Sequence, residues 1–214
     1  MPAPQPTPIY RMIHVDNLEV CLRRGGLHAP NHCPNDGLVY RTIHRVDVQT
    51  SRRVTAVPCG PGGTVHDYIP FYFGVLSPML LQLKTGQVPG YTEGQEPLVY
   101  LVSTAQAVAQ AGVPLVFTDG HGLAAWTEFF DDLVHLDRVD WEMVKQRYWA
   151  DTDEDMDRQR RKQAEFLVHQ FLLWELVSGI GVCSEAMKQK VEAVLARHPE
   201  AMRKIVVTQP AWYY

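Results

Sequence analysis

Hydrophobic and polar positions along this chain switch repeatedly between two periods. Short apolar runs rich in β-branched and aromatic residues, closed off by Gly, Pro, Asn or Asp, predict strands at residues 9–14, 68–73, 98–102, 114–117, 163–168 and 179–183. Helical spacing appears between them. Asp16 or Asn17 caps a helix through Leu18, Val20, Cys21 and Leu22 that ends at Gly25-Gly26. Ser77-Pro78 opens a second helix, residues 104–111 form a third that stops at Gly112, and Ser184 caps a fourth running through Met187, Val191 and Val194 to His198. Residues 27–38 read as loop. The stretch 124–162 is expected to hold a mobile loop and helices at 126–130 and 140–148. Within it the acidic-then-basic run from Asp151 to Lys162 suits a solvated helix whose charges match the helix dipole. Strands that alternate with helices and long loops predict a mixed α/β (α+β) fold, too irregular for a doubly wound sheet. With no repeat and no linker, one domain over 1–214 is expected.

Composition narrows the classes. Hydrophobic residues make up 46% and charged residues 21%, the balance of a soluble globule. A net charge of −4 excludes a uniformly basic nucleic-acid coat but leaves room for a local basic groove. No apolar run reaches membrane-spanning length, and the Pro-rich start is no signal peptide, so a cytoplasmic protein without a membrane partner is expected. Cys21, Cys33, Cys59 and Cys183 form no CxxC pair and, with the histidines, no zinc spacing, so no metal is expected.

Candidate chemistry starts at Glu165. A carboxylate at the mouth of the apolar strand 163–168 is costly there unless it is solvated, paired or facing a cleft. Residues 1–80 hold seven arginines against five acids, and a guanidinium can grip a pyrophosphate with two parallel bonds. Arg52 and Arg53 are the adjacent candidates. In the aromatic strand at 68–73, Tyr68 and Tyr72 share one face with Pro70, and Phe71 and Phe73 the other; one face should be core and the other free to stack a planar ring. His14, at a strand-to-helix junction, suits a ligand hydroxyl, a local cap or a satisfied core position alike. Asp119 and His121 suit a turn or a supporting role. Neither GxxxxGK[ST] nor a helix-opening GxGxxG is present, so any nucleotide is held by other means.

Several pieces stand in a telling order: Thr7-Pro8-Ile9-Tyr10 with His14 and Asn17-Leu18, Arg52, His66-Asp67-Tyr68 with Pro70-Phe71-Tyr72-Phe73, Ser77-Pro78-Met79, Phe117-Thr118-Asp119 with His121, Tyr148-Trp149-Ala150-Asp151, and Gln163 to Val168. In that order they resemble the DarT family of DNA ADP-ribosyltransferase toxins. The resemblance implies an ADP-ribosyltransferase-like fold, with a central split mixed or antiparallel sheet flanked by helices and long loops. It implies NAD as donor, a thymine of single-stranded DNA as acceptor, and a DarG-type macrodomain antitoxin that reverses the modification. Glu165 then matches the catalytic glutamate, and Arg52 the catalytic, NAD-contacting arginine, with Arg53 leaving the register open by one position. His14, Asn17, Tyr68 and Tyr72 match NAD-contacting positions. Arg53, Trp149, Arg160, Arg161 and His121 are the candidates for the DNA. One departure is Arg11, where the family opening Tyr-His-x-x-His carries a histidine.

The chemistry is consistent with those roles. Cleaving nicotinamide from ribose creates an oxocarbenium-like centre, which a carboxylate stabilises through the ribose 2′-hydroxyl. A thymine ring nitrogen has a solution pKa of about 10, like a phenol, so a base within hydrogen-bond reach helps it attack. Base pairing hides that nitrogen, which favours a single strand. A basic groove from Arg158, Arg160, Arg161 and Lys162 would let a protein of charge −4 hold it. A monomer is expected. Transfer to guanine, RNA or protein, and a nucleic-acid-binding module without chemistry, are the alternatives.

Overall fold

The structure, a computed structural model, describes residues 1–201 and 204–214. Its centre is a mixed eight-stranded sheet in the order β10-β9-β4-β1-β3-β7-β5-β6. The strands are β1 Pro8–His14, β3 Tyr68–Tyr72, β4 Leu98–Thr104, β5 Leu115–Thr118, β6 Phe129–Phe130, β7 Glu165–His169, β9 Gly179–Val182 and β10 Ile205–Thr208. Only β9 and β10 run parallel; the other neighbours are antiparallel. β1 is paired with β4 along its whole length, from Pro8↔Thr104 to His14↔Leu98, and β3 with β7 from Tyr68↔His169 to Tyr72↔Glu165. Between β1 and β3 a single partner pair remains, Tyr10↔Tyr72. The sheet is therefore split, and the strands on either side of the split diverge.

Each face has its own core. Ile9, Ile13, Ile69, Phe71, Val99, Leu101, Phe117, Phe166 and Val168 point to one side, where they meet α1 (Asp16–Arg23), α4 (Ala105–Gln110) and α6 (Glu185–Ala196). Met12, Leu98 and Tyr100 point to the other and meet α3 (Pro78–Lys84). The two-residue alternation along each strand produces this division. It also sends Tyr72 and Glu165 to the face opposite Phe71 and Phe166, beside α2 (Val46–Val54).

Several expected elements form as anticipated. Ser77, Thr104 and Ser184 each accept the backbone N–H three residues on and cap α3, α4 and α6. Others differ. Neither Asp16 nor Asn17 caps α1: Val15 stands there, and His14 Nδ1 accepts the Asp16 N–H at 3.1 Å. Residues 27–38 are not all loop, because β2 (Gly26–His28) pairs with β8 (Phe171–Leu173), a partner too distant for local pattern to reveal. The helices expected at 126–130 and 140–148 are absent. β6 and two 3₁₀ turns, Leu133–Arg138 and Met143–Lys145, take their place. Asp132 and Asp140 accept the N–H groups of Val134 and Met143 and so compete with helix propagation. The run from Asp151 to Lys162 yields only α5 (Arg158–Lys162), since its acids bond to the following arginines instead of opening a helix.

Candidate active site

Glu165 begins β7 directly across from Tyr72, with Arg52 coming to it from α2. The Arg52 Nη1 and Nη2 donate to Glu165 Oε1 and Oε2 at 3.0 and 2.8 Å, a two-pronged ion pair. Both side chains are enclosed, at 7% exposure for Arg52 and 1% for Glu165. Burial alone raises the Glu165 carboxyl, and the guanidinium more than offsets it, holding the group below the usual carboxylate range. Arg52 is likewise disfavoured by burial and held charged by Glu165. Arg53, one position on, is rotated by about 100° around the helix and exposed, so Arg52 is the arginine that meets the carboxylate.

The backbone around Glu165 is fixed by the turn after β5. Thr118 Oγ1 accepts the Glu165 N–H at 3.0 Å and donates to the Gly120 carbonyl at 2.6 Å, while the Gly122 N–H donates to Glu165 Oε1 at 3.3 Å. His121, between those glycines, is pushed towards its neutral form by burial and drawn back by the Glu165 charge. In this turn the sequence points to Asp119 and His121 for a supporting role, and the contacts to Glu165 come instead from Thr118 and Gly122. Burial raises the Tyr72 hydroxyl, and the Glu165 charge adds to this, so it stays a neutral donor beside the pair.

The other expected residues divide. His14 is buried at 1% exposure on the same face of the sheet as Tyr72, with its Nε2 unpartnered and the Glu93 carboxylate 3.6 Å away. Tyr91, edge-on to the His14 ring, carries another unpartnered buried polar atom, its hydroxyl; nothing in the local sequence marks it. Such orphaned donors and acceptors fit a polar ligand bound there. Asn17 is not free: its side chain exchanges two hydrogen bonds with the Arg41 backbone and pins the segment leading to α2. Tyr68 lies at the far end of β3, fully buried, with its hydroxyl on the Gly62 carbonyl, away from Glu165. Trp149 donates to the Tyr214 hydroxyl at 2.6 Å.

The expected basic groove does not form as one surface. Arg160 bonds to Asp157 and Asp119, Arg161 to Asp140 and Asp155, and Arg158 to the Ala150 and Tyr148 carbonyls. Lys162 is buried, with its ammonium on the Val144 and Gln146 carbonyls at 2.7 and 2.8 Å. Among the described residues no group of three or more His, Cys, Asp or Glu side chains could hold a metal ion.

Arg52 from α2 and Glu165 from β7, opposite charges buried together with the Gly122 N–H on the carboxylate, form an arrangement suited to an enzymatic site. A family model described as "ssDNA thymidine ADP-ribosyltransferase, DarT" matches residues 10–214. A DNA ADP-ribosyl transferase of Thermus sp. (strain 2.9) is 44% identical over 211 residues, covering 99% of this chain and 98% of that protein. Two solved structures carry the same fold. Thermus sp. 2.9 DarT in complex with ADP-ribosylated ssDNA matches with a TM-score of 0.93 at 42% identity, over 100% of this chain and 99% of that one. The same Thermus protein in complex with NAD+ gives 0.89 at 43% identity, with 100% of both chains covered. The fold is that of an ADP-ribosyltransferase. This chain belongs to the DarT family of single-stranded-DNA thymidine ADP-ribosyltransferases.

Proposed function

We propose that this protein, as a single domain over 1–214, transfers ADP-ribose from NAD to a thymine ring nitrogen in single-stranded DNA, and that Glu165 and Arg52 carry the reaction. The observation that supports this most is the buried Arg52–Glu165 fork at the split of the sheet. Enclosed charges act in a low effective dielectric, where each is worth far more than at a surface. His14, with its free buried Nε2, and Tyr91 suit ribose or amide groups of the donor.

The bond from nicotinamide to the ribose C1′ breaks and one from the thymine ring nitrogen to C1′ forms. Glu165, accepting from the 2′-hydroxyl, stabilises the cationic ribose between the two events. Its depressed pKa makes the carboxylate a strong electrostatic partner and a weak base. The thymine proton therefore leaves late, as the new bond forms, to Glu165 and then water. Tyr72 remains a neutral donor throughout. His121, which the Glu165 charge reaches, also lines a depression with Trp126, Met156, Gln159 and Gln163 that suits the acceptor base. Arg160 and Arg161 serve by holding that segment, because a phosphate would have to displace the aspartates they already bind. The protein acts as a cytoplasmic monomer, and its modification is reversed by a macrodomain antitoxin. Among the described residues no helix is long and apolar enough to cross a membrane.

The test is mass spectrometry of mixed-sequence single-stranded oligonucleotides incubated with protein and NAD, with Glu165→Ala as control. An ADP-ribose adduct on thymine, absent from the control, is expected. An adduct on another base would keep the chemistry and change the acceptor. NAD loss without an adduct would point to RNA or protein, and no NAD loss would remove the enzymatic reading.

A further inference from the structure

Arg11 is the charged side chain of the cleft with the fewest partners. It leaves β1 at the split, where its Nη1 donates to the Pro70 carbonyl of β3 at 2.9 Å. Its Nε is buried without a hydrogen-bond partner. The charged and polarisable groups around it are Tyr40, Arg52, Cys21 and Tyr72, with no carboxylate among them. Arg11 and Tyr72 are densely surrounded yet keep some exposed surface, as residues lining a cleft do.

A strand carbonyl left over at a split needs only a neutral donor, and a glutamine would serve. A guanidinium enclosed without an acid costs several kcal/mol of lost hydration, so the charge calls for a different explanation. Arg52 does not supply Arg11 with a counter-ion; the two repel, and both oxygens of Glu165 are taken by Arg52. His44 is driven towards its neutral form by its burial and by the charges of Arg11 and Arg52. The cleft therefore holds one positive charge more than its carboxylate neutralises, beside an arginine with donors to spare. Oxyanions of a phosphate ester meet that need.

We propose that Arg11 binds the diphosphate of the dinucleotide donor, leaving Arg52 to Glu165 and the reacting ribose. This rests on the reading of NAD as donor. A phosphodiester of the acceptor strand offers the same oxyanions, but Arg11 is enclosed at the split, which suits a small ligand rather than a strand needing an open groove.

The experiment is titration calorimetry with ADP-ribose on the wild type, Arg11→Met and Arg11→Lys, alongside KM and kcat for NAD, inhibition by nicotinamide, and binding of a single-stranded oligonucleotide. Arg11→Met should weaken ADP-ribose binding by about 10- to 100-fold, the range of a charge-assisted hydrogen bond. KM should rise with kcat held within about threefold, as lost ground-state binding does. Nicotinamide, which carries no phosphate, and the oligonucleotide should bind as before. Arg11→Lys keeps the charge but not the fork, and should lose a smaller factor. Unchanged ADP-ribose affinity, equal weakening of nicotinamide, or a loss confined to the oligonucleotide would overturn the proposal. If Arg11→Met does not fold, Arg11→Lys decides it, and undiminished affinity there is equally fatal. A wild type that binds no ADP-ribose would instead overturn the donor reading on which the proposal stands.

Discussion

Two groups of arginines, one at the split of the sheet and one in the segment 119–163, are built on opposite principles. At the split, Arg52 meets the Glu165 carboxylate with both prongs, while Arg11 meets only the Pro70 carbonyl, and the surplus charge of the three is positive. In the segment 119–163, Arg160 and Arg161 face Asp119, Asp140, Asp155 and Asp157, so the acids outnumber the cations and both arginines are neutralised within the protein. The first arrangement leaves a cation unsatisfied and waits for an anion from outside. The second pairs both arginines with acids and ties together a stretch that has little regular structure. The same residue type is thus a binding group in one place and a brace in the other, and the local count of acids decides which.

Removing Arg52 should have the largest effect. Arg52→Ala should lower transfer by about 10³-fold, whereas Arg53→Ala, an exposed neighbour, should stay within about twofold. The buried carboxylate left behind should destabilise the protein by roughly 3–5 kcal/mol at neutral pH. The pH dependence should also change sign. In the wild type the Glu165 pKa is depressed, so its stabilising contribution is present above the unfolded carboxyl pKa and lost as pH falls through the folded one. Without Arg52, burial, the largest influence, is opposed only by His121 and the Gly122 N–H, so the pKa rises and Arg52→Ala should gain stability on acidification relative to wild type. Urea melts of both proteins between neutral and acid pH test this; parallel curves would mean that the ion pair does not set the carboxylate's ionisation.

Glu165→Gln should cost about 10²- to 10³-fold in transfer while leaving the fold closer to wild type than Glu165→Ala, because the amide still accepts from Arg52 and Gly122. Activity near wild type would take the carboxylate out of the chemistry.

Breaking the brace should be milder. Arg160→Gln removes donors to Asp157, Asp119 and Thr127 and should lower stability by about 1–3 kcal/mol. Transfer should fall about tenfold through the His121 turn, whose N–H donates to the Arg160 carbonyl at 3.0 Å. The salt dependence of oligonucleotide binding separates a brace from a phosphate contact. A brace leaves the slope unchanged, and a slope reduced by about one would return Arg160 to the DNA. Gly120→Ala should act in the same direction, since an added Cβ would run into the Arg160 guanidinium.

These two regions also differ in how far the sequence revealed them. Strands with strong alternation and helices with Ser or Thr caps were legible, because their signals are local: Phe166 and Val168, or Ser184 with Met187. Glu165 stood out as a carboxylate against an apolar strand, and the adjacent pair Arg52-Arg53 was visible as a pair. Which of the two turns inward depends on the rotation of α2, a tertiary fact. In 119–163 local reasoning misled. The acidic and basic runs matched a helix dipole, but long-range partners such as Asp119 for Arg160 and Asp140 for Arg161 outweighed propensity. Nothing in the sequence joined Tyr91 to His14 or left Arg11 without an acid.

Lys162 gives the smallest and most specific test, because it is the buried cation of α5 and its ammonium rests on two backbone carbonyls. Burial lowers its pKa to about 8, below the value of an unfolded lysine. Between those two values the unfolded chain binds more protons than the folded one, so this residue makes stability rise with pH across that window. Tyrosines with raised pKa values act oppositely at higher pH, so only a difference between proteins isolates the lysine. Lys162→Met keeps the volume and removes the titration. Wild type minus variant stability, measured by urea melts from about pH 7 to 10, should climb with pH. A flat difference would mean that the ammonium stays charged across the window, and that the Val144 and Gln146 carbonyls hold it as firmly as the aspartates hold Arg161.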